Sequence, residues 1–86
     1  MTVAQTIEQK LTEALQPTAL DVIDDSHLHA GHVGSSDAGE THFTVRITAD
    51  AFSGLNRVAQ HRLVYKILAE ELAGPVHALA IEVNIP

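Results

Sequence analysis

The strongest constraint on the fold is a strict two-residue alternation over residues 41–49, THFTVRITA. Phe43, Val45 and Ile47 point to one side of a strand, and polar or small side chains occupy the positions between them. A strand with one apolar face must bury that face against a second layer. The chain therefore needs amphipathic helices that cover one face of its sheet.

Two amphipathic helices are predicted. The first begins at Thr2, which forms a capping box with Gln5, and it ends before Pro17, because the residue before a proline avoids helical angles. Its apolar positions are Val3, Ile7, Leu11, Ala14 and Leu15. The second covers residues 57–72 and ends at a Gly-Pro pair. Its apolar stripe is assigned to Val58, His61, Tyr65, Leu68 and Leu72, widened by Val64 and Ile67.

The remaining segments complete an α+β fold. Residues 19–26 and 78–85 are predicted strands, residues 50–56 a short helical turn, and residues 27–40 a long Gly- and Ser-rich loop. The predicted order is α-β-β-α-α-β, with helices on one face of a three-stranded sheet and the second strand central or nearly so. Residues 1–86 are expected to form one domain.

Composition and charge disfavour several classes of function. The chain has no Cys and a formal net charge of −6, so it can supply no thiolate, and general attraction to nucleic acid is disfavoured. No apolar run spans a membrane and no signal peptide is visible. A cytoplasmic location is expected, or an organellar matrix if a transit peptide has been removed. No nucleophile lies beside a base in the pattern, so catalysis is not expected.

Three of the six histidines fall within SHLHAGH: His27, His29 and His32. Zinc accepts three imidazoles, so this segment can be a metal site. It can also be a proton-switchable loop or an ordinary solvated loop. The residues alone leave these alternatives open.

Taken together, the motifs resemble the BolA family over nearly the whole length. The matching blocks, in order, are DDSHLHAGH, GETHF, F-S-G, QHRLVY, EEL and GPVHALAIEV. Gln60 departs from the pattern, where the family usually has Arg. The resemblance implies a relative of the class II KH fold, with the same element order as predicted above.

The resemblance also implies a non-enzymatic function. BolA-like proteins pair with monothiol glutaredoxins, in the presence of glutathione, and share a [2Fe-2S] cluster between the two chains. This implies a role in iron–sulfur cluster trafficking or iron sensing. Some members are described as transcription regulators, so a DNA-binding regulator using the long helix is the alternative. The free protein is expected to be a monomer or a weak dimer, with no cluster of its own.

The resemblance assigns the cluster ligands by position. His77, in the V-H-A-L block, matches the family's invariant ligand. A loop residue supplies the second: counting forward from the first strand gives His29, which is preferred, and counting back from THF points nearer His32. Because iron in such clusters accepts imidazole, a chain without Cys can contribute in this way if its partner brings thiolates.

Arg57, Arg62 and Lys66 form the candidate partner or nucleic-acid surface, and Arg62 and Lys66 are one turn apart on the long helix. Such residues can meet a glutaredoxin, the carboxylates of glutathione or DNA phosphates. They can equally be part of a solvated helix face. With so few cations, any binding to DNA is expected to be weak.

Overall fold

The structure is a computed structural model, and it describes residues 2–25 and 41–86. Its elements follow the predicted α-β-β-α-α-β order, with the last helical region in two pieces. They are α1 (Val3–Leu15), β1 (Ala19–Asp24), β2 (His42–Thr48), a 3-10 turn (Asp50–Phe52), α2 (Arg57–Ile67), α3 (Ala69–Ala73) and β3 (Ala78–Asn84). The predicted α+β class is confirmed.

The sheet has the order β1-β2-β3, which confirms β2 as the central strand. β1 runs antiparallel to β2, with Ala19 opposite Thr48 and Asp24 opposite Phe43. β2 runs parallel to β3, in a register that begins with His42 opposite Ala78. A parallel pair needs a crossover connection, and the 3-10 turn, α2 and α3 provide it.

The core lies between the helices and one face of the sheet. Phe43, Val45 and Ile47 are at most 2% exposed, as their alternation predicts. The helical layer contributes Ile7, Leu11, Phe52, Val64 and Leu68, all buried. The capping box at Thr2 and Gln5 is present, and α1 ends with Gln16 in the left-handed region just before Pro17.

The stripe assigned to the long helix is confirmed only in part, because two of its members are buried and two are exposed. Val58 is 58% exposed and Tyr65 is 41% exposed, while Val64 and Leu68 are buried. The helix is also divided at Leu68, whose φ of −100° and ψ of 20° separate α2 from α3. On the side of α2 that faces the 3-10 turn, the Gln60 amide donates to the carbonyl oxygens of Phe52 and Leu55.

An ion pair fixes the two ends of the helical layer to each other. Lys10 on α1 lies 2.9 Å from both carboxylate oxygens of the buried Glu71 on α3 and 3.4 Å from Glu70. The hydrogen bond to Glu71 raises the pKa of Lys10 above its ordinary value. Lys10 therefore joins α1 to both acidic residues at the start of α3.

Within the two described ranges, no helix combines the length and the apolar character that crossing a lipid bilayer requires.

Candidate functional site: the histidine end of the sheet

Two histidines and two other polar residues lie together at one end of the sheet. Here β1 finishes and both β2 and β3 begin, because β2 is antiparallel to the first and parallel to the second. We call this the histidine end of the sheet, and its residues are Asp25, Thr41, His42 and His77. His77 immediately precedes β3, and its side chain is exposed to solvent.

The backbone of His77 is held by Thr41. The carbonyl oxygen of Thr41 accepts hydrogen bonds from the backbone N–H groups of His77, at 2.7 Å, and Ala78, at 3.2 Å. Thr41 itself is 8% exposed. The position of the His77 Cα is thus fixed by the start of the central strand, while its imidazole projects outward.

A second imidazole lies beside that of His77. The ring centroids of His42 and His77 are 6.2 Å apart, with an interplanar angle of 61° that gives an edge-to-face contact. The Thr41 hydroxyl oxygen lies 2.9 Å from Nδ1 of His42, within hydrogen-bond distance. Two imidazoles and one hydroxyl are therefore contiguous at this end of the sheet.

Asp25 closes the β1 side of the site. Its backbone N–H donates to the carbonyl oxygen of His42 at 2.7 Å, and its carboxylate accepts a short hydrogen bond from the Thr44 hydroxyl. A shallow cavity of about 270 Å³ lies alongside, and it is lined by Asp25, His42, Phe43, Ala78, Leu79 and Ala80.

The predicted loop ligands, His29 and its alternative His32, lie outside the described residues, as does His27. The residues that flank their segment, Asp25 and Thr41, both belong to the histidine end of the sheet. All three histidines follow Asp25 by at most seven residues.

The metal-binding capacity of the described residues is limited. Among them, no cluster of three or more His, Cys, Asp or Glu side chains is arranged to hold a metal ion. They offer an exposed imidazole at a surface, which is suited to a group whose remaining ligands come from elsewhere. Imidazole is an accepted ligand of [2Fe-2S] iron.

The candidate basic surface lies on α2. Arg57, Arg62 and Lys66 are all exposed, and none has an ion-pair partner within residues 2–25 and 41–86. The chain's other two cations are paired, Lys10 as above and Arg46 with Glu82 at 2.5 Å. Successive helical residues are about 100° apart, so Arg62 and Lys66 share a face, while Arg57 lies about 140° from Arg62.

His61 departs from its predicted environment. Its place on the apolar stripe predicts burial, but it is only half-buried, and its imidazole has no hydrogen bond to another described residue. It lines a cleft of about 310 Å³ between α2 and β3, at the end of the sheet opposite His77, together with Arg57, Gln60, Ile81, Glu82, Val83 and Asn84.

The contact between His42 and His77 was missed in the sequence, where His42 was given no chemical role. The available signal was its outward parity at the start of a strand. The missing information was the parallel pairing of β2 with β3, which places His42 opposite Ala78 and so beside His77.

The sequence matches the family model described as BolA-like protein over residues 11–86. Among curated proteins, it is 47% identical to a Sinorhizobium protein, "uncharacterized protein in cobS 5′ region", covering all of this chain and 94% of that protein. It is 49% identical to human BolA-like protein 1 over 93% of this chain. It is 45% identical to Arabidopsis thaliana SufE-like protein 1, chloroplastic/mitochondrial, also over 93% of this chain. The chain spans 56% of the human protein and 23% of the SufE-like protein.

Solved structures show the same similarity. The BolA domain of SufE1 from Arabidopsis thaliana superposes with a TM-score of 0.87 at 44% identity, covering 96% of this chain and 91% of that one. BolA1 from the same plant gives a TM-score of 0.87 at 40% identity, covering all of this chain and 94% of that one. Mouse BolA1 gives 0.80 at 40% identity, covering 98% of this chain and 65% of that one.

Proposed function

Because the chain belongs to the BolA-like protein family, we propose that it is a non-enzymatic adaptor that pairs with a monothiol glutaredoxin. The cargo is a [2Fe-2S] cluster shared between the two chains. His77 supplies one ligand, and His29 supplies the other, with His32 as its alternative. The observation that carries the proposal is the exposed imidazole of His77, held at the sheet end that also anchors the histidine-rich segment.

The absence of Cys explains why a partner is needed. A [2Fe-2S] cluster is held by four ligands, and a Cys-free chain can contribute only imidazoles or carboxylates. The partner, together with glutathione, supplies the thiolates. An exposed ligand on a rigid strand entrance is suited to this arrangement, because a second protein can approach it directly.

The proposed compartment is the cytoplasm, or an organellar matrix after removal of a transit peptide. The proposed state of the free protein is a monomer or weak dimer that carries no cluster. A role in iron–sulfur trafficking or iron sensing follows from sharing a cluster that can pass between two chains.

The test is reconstitution under anaerobic conditions. The protein is mixed with a monothiol glutaredoxin, glutathione, iron and sulfide, and visible absorption and circular dichroism are recorded. We expect a mixed complex whose spectrum differs from that of the glutaredoxin alone. His77→Ala should abolish that spectrum while the far-UV circular dichroism of the free protein stays unchanged, because the side chain is exposed.

The matched control is His61→Ala, which removes a histidine at the opposite end of the sheet. It should leave the mixed spectrum intact. His29→Ala should weaken the complex less than His77→Ala, since His32 can replace it, and His27→Ala should have little effect. A His77→Ala complex with the spectrum and stability of the parent complex would refute the proposal.

One observation favours a second candidate, a DNA-binding regulator. The three cations without ion pairs in the described part of the chain, Arg57, Arg62 and Lys66, all lie on α2. Each phosphate contact contributes about −0.9 to the slope of log K against log salt, so the three together give about −3. Titration of labelled duplex at several salt concentrations measures this slope. Tight, sequence-specific binding with a slope near −3 would favour the regulator over the adaptor.

A further inference from the structure

The orientation of the His77 side chain is a separate question from the position of its backbone. Thr41 fixes the backbone of His77 through its carbonyl oxygen. The exposed imidazole is free to choose among staggered rotamers unless a neighbour restricts it. A ligand that already points in one direction loses less conformational freedom when it binds.

His42 is placed to impose that restriction. Its ring meets that of His77 edge to face at a centroid distance of 6.2 Å, within the 4.5–7 Å range of favourable ring pairs. The His42 ring is itself held, because its Nδ1 lies 2.9 Å from the hydroxyl of Thr41, a residue only 8% exposed. Thr41 thus holds both histidines, because its hydroxyl group contacts the ring of His42 and its carbonyl group binds the backbone of His77.

We infer that His42 is a positioning residue for His77. Thr41 fixes the ring of His42, and the edge of that ring limits the imidazole of His77 to one orientation. The consequence for cluster sharing rests on the proposed function, in which His77 is a ligand. The orientation of the His77 ring does not depend on that function, and it can be measured in the free protein.

The first measurement uses the free protein. NMR three-bond couplings across χ1 of His77 report its rotamer populations in the parent, in His42→Ala and in Thr41→Val. We expect one dominant rotamer in the parent, averaged couplings in His42→Ala and partial averaging in Thr41→Val. His42→Phe, which keeps a ring beside His77, should restore much of the order. Thr48→Val, on the same face at the far end of β2, is the control and should change nothing.

The second measurement uses the mixed complex with glutaredoxin, glutathione and the [2Fe-2S] cluster. Loss of the cluster to a chelator is followed by visible circular dichroism. We expect His42→Ala to lose the cluster about three- to tenfold faster than the parent, the size of effect that freeing one side chain produces. Thr48→Val should match the parent.

The outcomes separate the two ideas. If His77→Ala keeps the mixed spectrum, the proposed function fails, while the couplings still decide whether His42 orients His77. If the couplings of His77 are the same in the parent and in His42→Ala, the positioning role is overturned. A second result would also overturn the positioning role. In this result His77→Ala abolishes the mixed cluster and His42→Ala averages the His77 couplings, yet His42→Ala loses the cluster no faster than the parent. If His42→Ala does not fold, Thr41→Val decides by the same two criteria.

Discussion

The packing of α2 makes a sharp prediction, because two valines on this helix lie in opposite environments. Val64 is 0% exposed and Val58 is 58% exposed. Val→Ala raises helix propensity by at most a few tenths of a kcal/mol, and less in the first turn, where Val58 lies, than in the helix interior. The difference in stability between the two variants therefore measures mainly burial.

The expected magnitude follows from the groups removed. Val64→Ala deletes two buried methyl groups, a transfer loss of about 1.6 kcal/mol at about 0.8 kcal/mol each. The cavity left behind adds to this loss, so a total of about 2.5 kcal/mol is expected. For a chain of this size, that lowers Tm by about 10–20 °C. Val58→Ala should stay within about 0.5 kcal/mol of the parent.

Urea unfolding followed by far-UV circular dichroism measures both variants against the parent, and equal m values are needed for the comparison. A Val58→Ala variant that loses as much stability as Val64→Ala would refute the observed register of α2. The stripe that the sequence suggested, running through Val58 and Tyr65, would then be correct.

Three further outcomes are expected. Gly54 has a φ of +80°, so Gly54→Ala should cost about 1 kcal/mol in a thermal melt, although a Cβ would meet no atom within 4 Å; an unchanged Tm would contradict a backbone cause. Thr2→Ala removes the capping box with Gln5 and should cost about 1 kcal/mol in urea unfolding, a loss that Thr2→Ser should largely avoid. Folding raises the pKa of Lys10 through its hydrogen bond to Glu71, so the pair stabilises the folded state. That stabilisation is complete below the unfolded pKa of about 10.5 and is lost as pH rises through the folded value. The stability gap between the parent and Lys10→Met, measured in urea, should therefore be constant from pH 7 to 9 and close at higher pH; a gap that stays open would count against the Lys10–Glu71 pair.

The sheet and its covered face could be predicted from local pattern alone. The alternation of Phe43, Val45 and Ile47 determines which face is buried, and the burial of all three confirms it. The capping box at Thr2 could also be predicted, since both of its hydrogen bonds join residues three positions apart. Signals of this kind are contained within a few residues and need no knowledge of the partner element.

The register of α2 could not be predicted in this way. Apolar residues at three- and four-residue spacing form a wide stripe, which includes the exposed Val58 and Tyr65 as well as the buried Val64 and Leu68. Periodicity does not choose between them. The buried side depends on how α2 packs against the sheet, α1 and the preceding segment, where Phe52 and Leu55 accept from the Gln60 amide.

The same contrast between local and long-range information applies to the candidate site. His77 was identified through a motif, whereas the role of Thr41 and the nearness of His42 depend on the pairing of β2 with β3. That pairing joins distant parts of the chain, and no local pattern encodes it.

The parallel register of β2 and β3 also bears on how the protein folds. Facing residues in this pair, such as Arg46 and Glu82, are 36 positions apart in sequence. Closing so large a loop is entropically costly and tends to slow folding relative to a bundle of local helices. The two imidazoles therefore meet only once this long-range pairing has formed. Detachment of β3 alone would separate them, and hydrogen exchange at the amides of His77 and Ala78, both bonded to Thr41, would record how often that happens.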